Sequence, residues 1–144
     1  MVQFEINQQA GKAITRKMVQ TWLDKIVKTL KIKSNFEISF GVVGDTAIRQ
    51  MNKSYRGKDK VTDVLSFPEK NSLGRYSAQG YLGEIIICYP QTVRRAKKAG
   101  HTVAQELELL FVHGFMHLLG YDHETVAQAK KMEKLEERIL ASRG

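Results

Sequence analysis

The sequence predicts an α+β fold of mixed α/β layers: one sheet of about four strands covered by helices, in a single domain spanning residues 1–144. Three observations predict it. Short stretches with apolar residues at every second position alternate with longer stretches whose apolar residues recur every three to four. Read in order, the elements run β-α-β-α-β-β-α-α-α, with no repeat, linker or low-complexity tract between them. A chain of 144 residues, 42% apolar and 26% charged, has enough material for one core and the balance of an ordinary globular protein.

Val2 to Ile6 sets Val, Phe and Ile against Gln and Glu and reads as a strand. After a polar turn with Gly11, Thr15 is a candidate N-cap for a helix to about Lys31. Met18, Trp22, Ile26 and Leu30 lie four apart on its apolar face, with Val19, Leu23 and Val27 beside them. Its Lys and Arg face is most simply solvated. Phe36 to Val43 alternates and reads as a second strand. Gly44-Asp45 is a turn, and Asp45 can cap a helix over Ala47 to Tyr55 with Ile48 and Met51 turned inward. A strand over Asp63 to Phe67 follows a basic stretch. Glu69 to Gly80 is polar and aperiodic and reads as a mobile loop, either a hairpin tip or a substrate flap. Tyr81 to Tyr89 is the most apolar strand and is expected at the centre of the sheet. Pro90 opens a helix over Gln91 to Ala99, ended by Gly100. A helix from about Val103 to Leu119 comes next. Val126 to Leu140 closes the series, with Met132, Leu135 and Ile139 inside.

Composition narrows the function. There are 23 basic and 15 acidic residues, a net charge of +8, which suits a polyanionic partner. Cys88 is the single cysteine, so no intramolecular disulfide can form. The longest strongly apolar run, Ile85 to Cys88, is far too short to span a bilayer. The opening Met-Val-Gln-Phe-Glu-Ile-Asn contains an acid and alternates in polarity, unlike a signal peptide. The expectation is a cytoplasmic protein with no membrane partner.

The chemistry concentrates in Glu106 to Glu124, which holds three of the four histidines: His113, His117 and His123. His113 and His117 are four apart, so a helix puts both imidazoles on one face. Gly120 stands where a left-handed glycine commonly ends a helix, letting the chain fold back and bring His123 to the same point. Three neutral imidazoles on one ion leave a fourth tetrahedral position open, the catalytic form of a zinc site. One divalent cation, with zinc foremost, is the expected cofactor. The spacing His-x-x-x-His-x-x-Gly-x-x-His is also that of zinc proteases, which carry a Glu after the first His as general base. Here that position is Gly114, which cannot accept a proton.

The run His113-Gly-Phe-Met-His117-Leu-Leu-Gly-Tyr-Asp-His123 resembles the signature of the YbeY family of bacterial metal-dependent endoribonucleases, with Met116 in place of the usual Leu. A second block resembles the same family: Asn52-Lys-Ser-Tyr-Arg-Gly-Lys-Asp-Lys-Val-Thr-Asp-Val-Leu-Ser-Phe67, with Val61 where the family usually has Pro. The resemblance extends over nearly the whole chain. It implies ribosomal RNA processing, at the 3′ end of 16S rRNA, and ribosome quality control. The implied partners are single-stranded RNA, the small ribosomal subunit and its assembly factors. It also implies a functional Arg at position 56, whose forked guanidinium suits a clamp on the scissile phosphate and is too firmly protonated to be a base.

Other candidates follow from residue type. Lys53, Lys58 and Lys60 in the basic loop, and Arg94, Arg95, Lys97 and Lys98 on the helix after Pro90, are either solvated charge or an RNA-backbone track. Glu84 is either a carboxylate of the site or a residue facing solvent or a cation. Asp122 can orient a ligand imidazole from behind or cap the surface. His101 precedes the histidine helix by too many turns to be an obvious ligand. Two alternatives stand beside the ribonuclease: a metalloprotease, which Gly114 opposes, and an RNA-binding ribosome-assembly factor with a mainly structural metal.

Overall fold

The computed structural model describes residues 2–70 and 80–142. Most of the stretch expected to form a loop, 71–79, lies outside the described residues. Among the described residues nine elements follow the expected order: β1 (Val2–Gln8), α1 (Arg16–Leu30), β2 (Phe36–Val43), α2 (Asp45–Arg56), β3 (Val64–Pro68), β4 (Gly80–Cys88), α3 (Tyr89–Ala99), α4 (Val103–Leu118) and α5 (Val126–Ala141). The strands form one mixed sheet in the order β1-β2-β4-β3. β1 runs parallel to β2 and β2 to β4, while β3 returns antiparallel along β4. β4 is thus interior, as its continuous apolar run requires. β1 extends two residues beyond the alternating stretch, because Asn7 and Gln8 continue the ladder opposite Gly41 and Val42.

The sheet faces differ. Phe4 of β1, Phe36, Ile38, Phe40 and Val42 of β2, and Ile85 and Ile87 of β4 pack with α1, α4 and α5 in the main core. Aromatic rings interlock at its centre: Trp22 lies 5.2 Å from Phe111, and Phe111 meets Phe40 edge-to-face at 5.1 Å. On the other face Val43, Leu65, Ile86 and Cys88 pack with Ile48 of α2 in a smaller cluster. No helix among the described residues is long and apolar enough to cross a membrane.

Local chemistry sets the helix ends. Thr15, Thr102 and Thr125 each accept a backbone N–H as N-caps, and the latter two complete capping boxes with Gln105 and Gln128. Asp45 departs from its expected role. The N-cap of α2 is Gly44, and Asp45 is the first helical residue. Its carboxylate instead accepts two hydrogen bonds from Arg94 of α3, at 2.6 and 3.1 Å. That guanidinium holds the Asp45 carboxyl below its usual value.

Candidate metal centre

The helix that carries the histidines is buried along most of its length. Leu107, Leu110, Phe111, Val112, Phe115, Met116 and Leu118 of α4 all lie in the core, while His113 and His117 in its second half are only half-buried. The helix stops as the sequence anticipates. Gly120 takes φ 96°, its N–H donates to the His117 carbonyl at 3.0 Å, and the Tyr121 N–H donates to the Met116 carbonyl at 3.1 Å. This paired closure reverses the chain in three residues and carries His123 back to the helix.

The three imidazoles converge. Their candidate ligand nitrogens all lie within 4.8 Å of one another. His113 Nε2 and His117 Nε2 are 3.2 Å apart. Bonds of ~2.0–2.1 Å to one tetrahedral ion would need nitrogens separated by roughly 3.3 Å. The His123 ring centroid stands 5.7 Å from that of His113 and 5.1 Å from that of His117.

The donor set also fits a cation electronically. His113 Nδ1 lies 3.2 Å from Glu136 Oε1 of α5. A carboxylate there accepts a hydrogen bond from Nδ1–H, which keeps the proton on Nδ1 and leaves the Nε2 lone pair facing His117. Burial, then the nearby His113 and His123, holds His117 below the ordinary imidazole value, against a smaller opposite pull from Asp122 and the Tyr121 backbone. Low basicity favours the neutral ring, the only form that can bind a metal.

The histidines open into a cavity of about 600 Å³. Its other walls are the end of α2, with Tyr55 and Arg56, Thr62 and Asp63, the edge strand β3 from Val64 to Pro68, and Asp122 and Glu124 beyond α4. Arg56 is exposed and among the described residues pairs with no carboxylate. The basic loop after it is pinned despite Val61. Buried Asn52 donates to the Lys60 carbonyl at 3.0 Å, the Lys58 N–H donates to the Asn52 carbonyl, and Arg49 pairs with Asp59 at 2.8 Å. Lys58 and Lys60 are exposed on this loop, whereas Lys53, expected there too, is exposed on the last turn of α2.

Gly114, the residue standing where a protease has its base, faces the sheet. A Cβ there would come within 2.9 Å of Ile85 Cγ2 and 3.2 Å of Ser66 Oγ, and Ser66 donates to the Gly114 carbonyl at 3.2 Å. The position has no room for a carboxylate side chain and does not point into the cavity.

Other candidates are placed differently. Glu84 pairs across the sheet with Phe67 and shares the α2 side with Ile86, while Ile85 turns to the histidine helix. It does not line the cavity, and burial pushes its carboxyl up. Asp122 accepts the N–H of His123 at 2.7 Å, so it shapes the turn and touches no imidazole ring by a hydrogen bond. Backing an imidazole falls instead to Glu136, which no sequence spacing ties to the histidines. Of the α3 cations, Arg94 is held by Asp45, and Arg95 bridges Asp63 at 2.9 Å and buried Glu106 at 3.2 Å. Lys97 and Lys98 remain exposed. His101 joins Glu106 at 3.1 Å, remote from the metal candidates.

Fold and site together define a class: a small α+β protein whose three converging imidazoles could hold a metal ion in an open cavity. The sequence matches the family model described as endoribonuclease YbeY over residues 2–144. It is 40% identical to the endoribonuclease YbeY of Moorella thermoacetica, over 96% of this chain and 94% of that one. It is 42% identical to that of a Sulfurihydrogenibium species, over 90% and 84%. A Thermotoga maritima protein solved in solution superposes with a TM-score of 0.61 at 25% identity, covering 96% of this chain and 89% of its own. The chain belongs to the YbeY family.

Proposed function

We propose that this protein is a metal-dependent endoribonuclease of single-stranded RNA, with His113, His117 and His123 holding one divalent cation and Arg56 gripping the scissile phosphate. The convergence of three ligand nitrogens in a cavity shared with Arg56 carries this reading. Family membership supports it, since the relatives are named endoribonucleases. Imidazole donors suit zinc best among the common hydrolytic ions. When bound, such a cation polarises a phosphoryl oxygen and makes nearby water more acidic.

The chain's own residues supply the rest. Glu136 fixes the His113 ring. The Arg56 fork can take two phosphate oxygens and stays charged throughout. The exposed lysines 53, 58 and 60, joined by Lys97 and Lys98, attract the RNA backbone; Arg94 and Arg95 contribute less because carboxylates already hold them. The substrate is ribosomal RNA, cut in maturation of the 16S 3′ end and in quality control, with the small subunit and assembly factors as partners. Residues 1–144 act as one catalytic domain, in the cytoplasm. The peptidase alternative loses its footing at Gly114, where the packing leaves no space for a base.

The test is cleavage of a single-stranded RNA by wild type and His117→Ala, beside the metal content of each. The proposal expects bound metal and cleavage in wild type and loss of both in the variant. RNA binding and biological activity that survive loss of the metal would make the ion structural and the enzyme reading wrong. A 2′-deoxy nucleotide at the cut site then separates two routes: persisting cleavage excludes attack by the RNA's own 2′-hydroxyl.

A further inference from the structure

Tyr55 is exposed to 72%, far more than a large ring is usually left in water, and it stands at the mouth of the histidine cavity. It precedes Arg56 in the last turn of α2. Phe67 of β3, which lines the same cavity, meets it edge-to-face, with ring centroids 5.1 Å apart and planes at 63°. Such a contact fixes the orientation of the tyrosine ring. It leaves most of the ring surface uncovered.

We propose that Tyr55, braced by Phe67, is a stacking platform for one nucleobase of the RNA strand, next to the phosphate that Arg56 grips. This rests on the ribonuclease reading and adds a subsite to it. An open, pre-oriented aromatic face binds any base, because every base has a π-face. It binds only a base free to leave its neighbours, so a duplex with its internally stacked pairs is refused. The platform therefore supplies a physical reason for single-strand preference at this cavity. The ring and its brace come from α2 and β3, the two elements that also flank the pinned basic loop, so backbone and base are gripped from one rigid corner.

The experiment compares wild type, Tyr55→Leu and Tyr55→Phe, each metal-loaded, on a single-stranded RNA oligonucleotide. A matched series carries an abasic nucleotide at each position flanking the cut. Leu keeps an apolar cover over Phe67 and removes the π-face; Phe restores it. Tyr55→Leu is expected to raise Kd and KM roughly 5- to 150-fold, the worth of one stacked base, with the loss falling on KM rather than kcat. Tyr55→Phe is expected to recover most of it. One abasic position should weaken wild type and abolish the difference from Tyr55→Leu. Wild-type behaviour of Tyr55→Leu, or a deficit that persists on every abasic oligonucleotide, overturns the platform. Wild type that binds RNA without cutting it, while the abasic pattern holds, sinks the nuclease reading and leaves the platform standing.

Discussion

A carboxylate behind an imidazole decides which ring nitrogen keeps the proton. Glu136 does this for His113 from α5, twenty-three positions along the chain, so no local spacing announces it. Replacing Glu136 with Ala is expected to weaken metal binding about 10- to 100-fold in a chelator competition, as loss of such a support does elsewhere. Unchanged affinity would mean that the contact is incidental. The convergence of the three imidazoles was legible, because the i, i+4 pair and the glycine reversal are local rules. Glu84 was not, since which sheet face it takes depends on its register with β3 and on the irregular pairing that precedes it in β4. Asp122 adjoins a histidine in sequence and Glu136 does not, yet packing sets only Glu136 against an imidazole.

Elements were read more easily than their neighbours. Thr15, the Pro at the start of α3 and the glycines after α3 and α4 mark helix ends through contacts within a few residues. Asp45 shows the limit. A long-range partner, Arg94, draws its side chain away from the cap position. Gly114 teaches the same lesson in reverse: sequence explains what it lacks, and packing explains why nothing larger can stand there. The methyl group of Gly114→Ala would push against Ile85, a buried branched side chain with little freedom to move. The variant is expected to lose about 1–3 kcal/mol in urea unfolding, in the range for overpacked cores. A neutral or stabilising result would show that α4 can lift from the sheet at little cost, and with it the histidine pair.

At the scale of the whole molecule, a charge of +8 is informative only once its partners are known. Carboxylates hold Arg94 and Arg95, whereas Lys58 and Lys60 project from a loop fastened by Asn52. RNA affinity should therefore fall with salt. Lys58→Ala or Lys60→Ala should each reduce the slope of log Kd against log salt by about 0.7, the value for one phosphate contact on a single strand, and Arg94→Ala by less. An equal effect from Arg94→Ala would show that its pairing with Asp45 yields to RNA. The larger claim is that α4 and the turn beyond it exist to aim three rings at one ion. X-ray absorption at the zinc edge of the zinc-loaded protein tests this most directly. The expected result is one ion per chain with three imidazole nitrogens at ~2.0–2.1 Å and one further light ligand. Fewer than three imidazoles, or a spectrum that His123→Ala leaves unchanged, would contradict it.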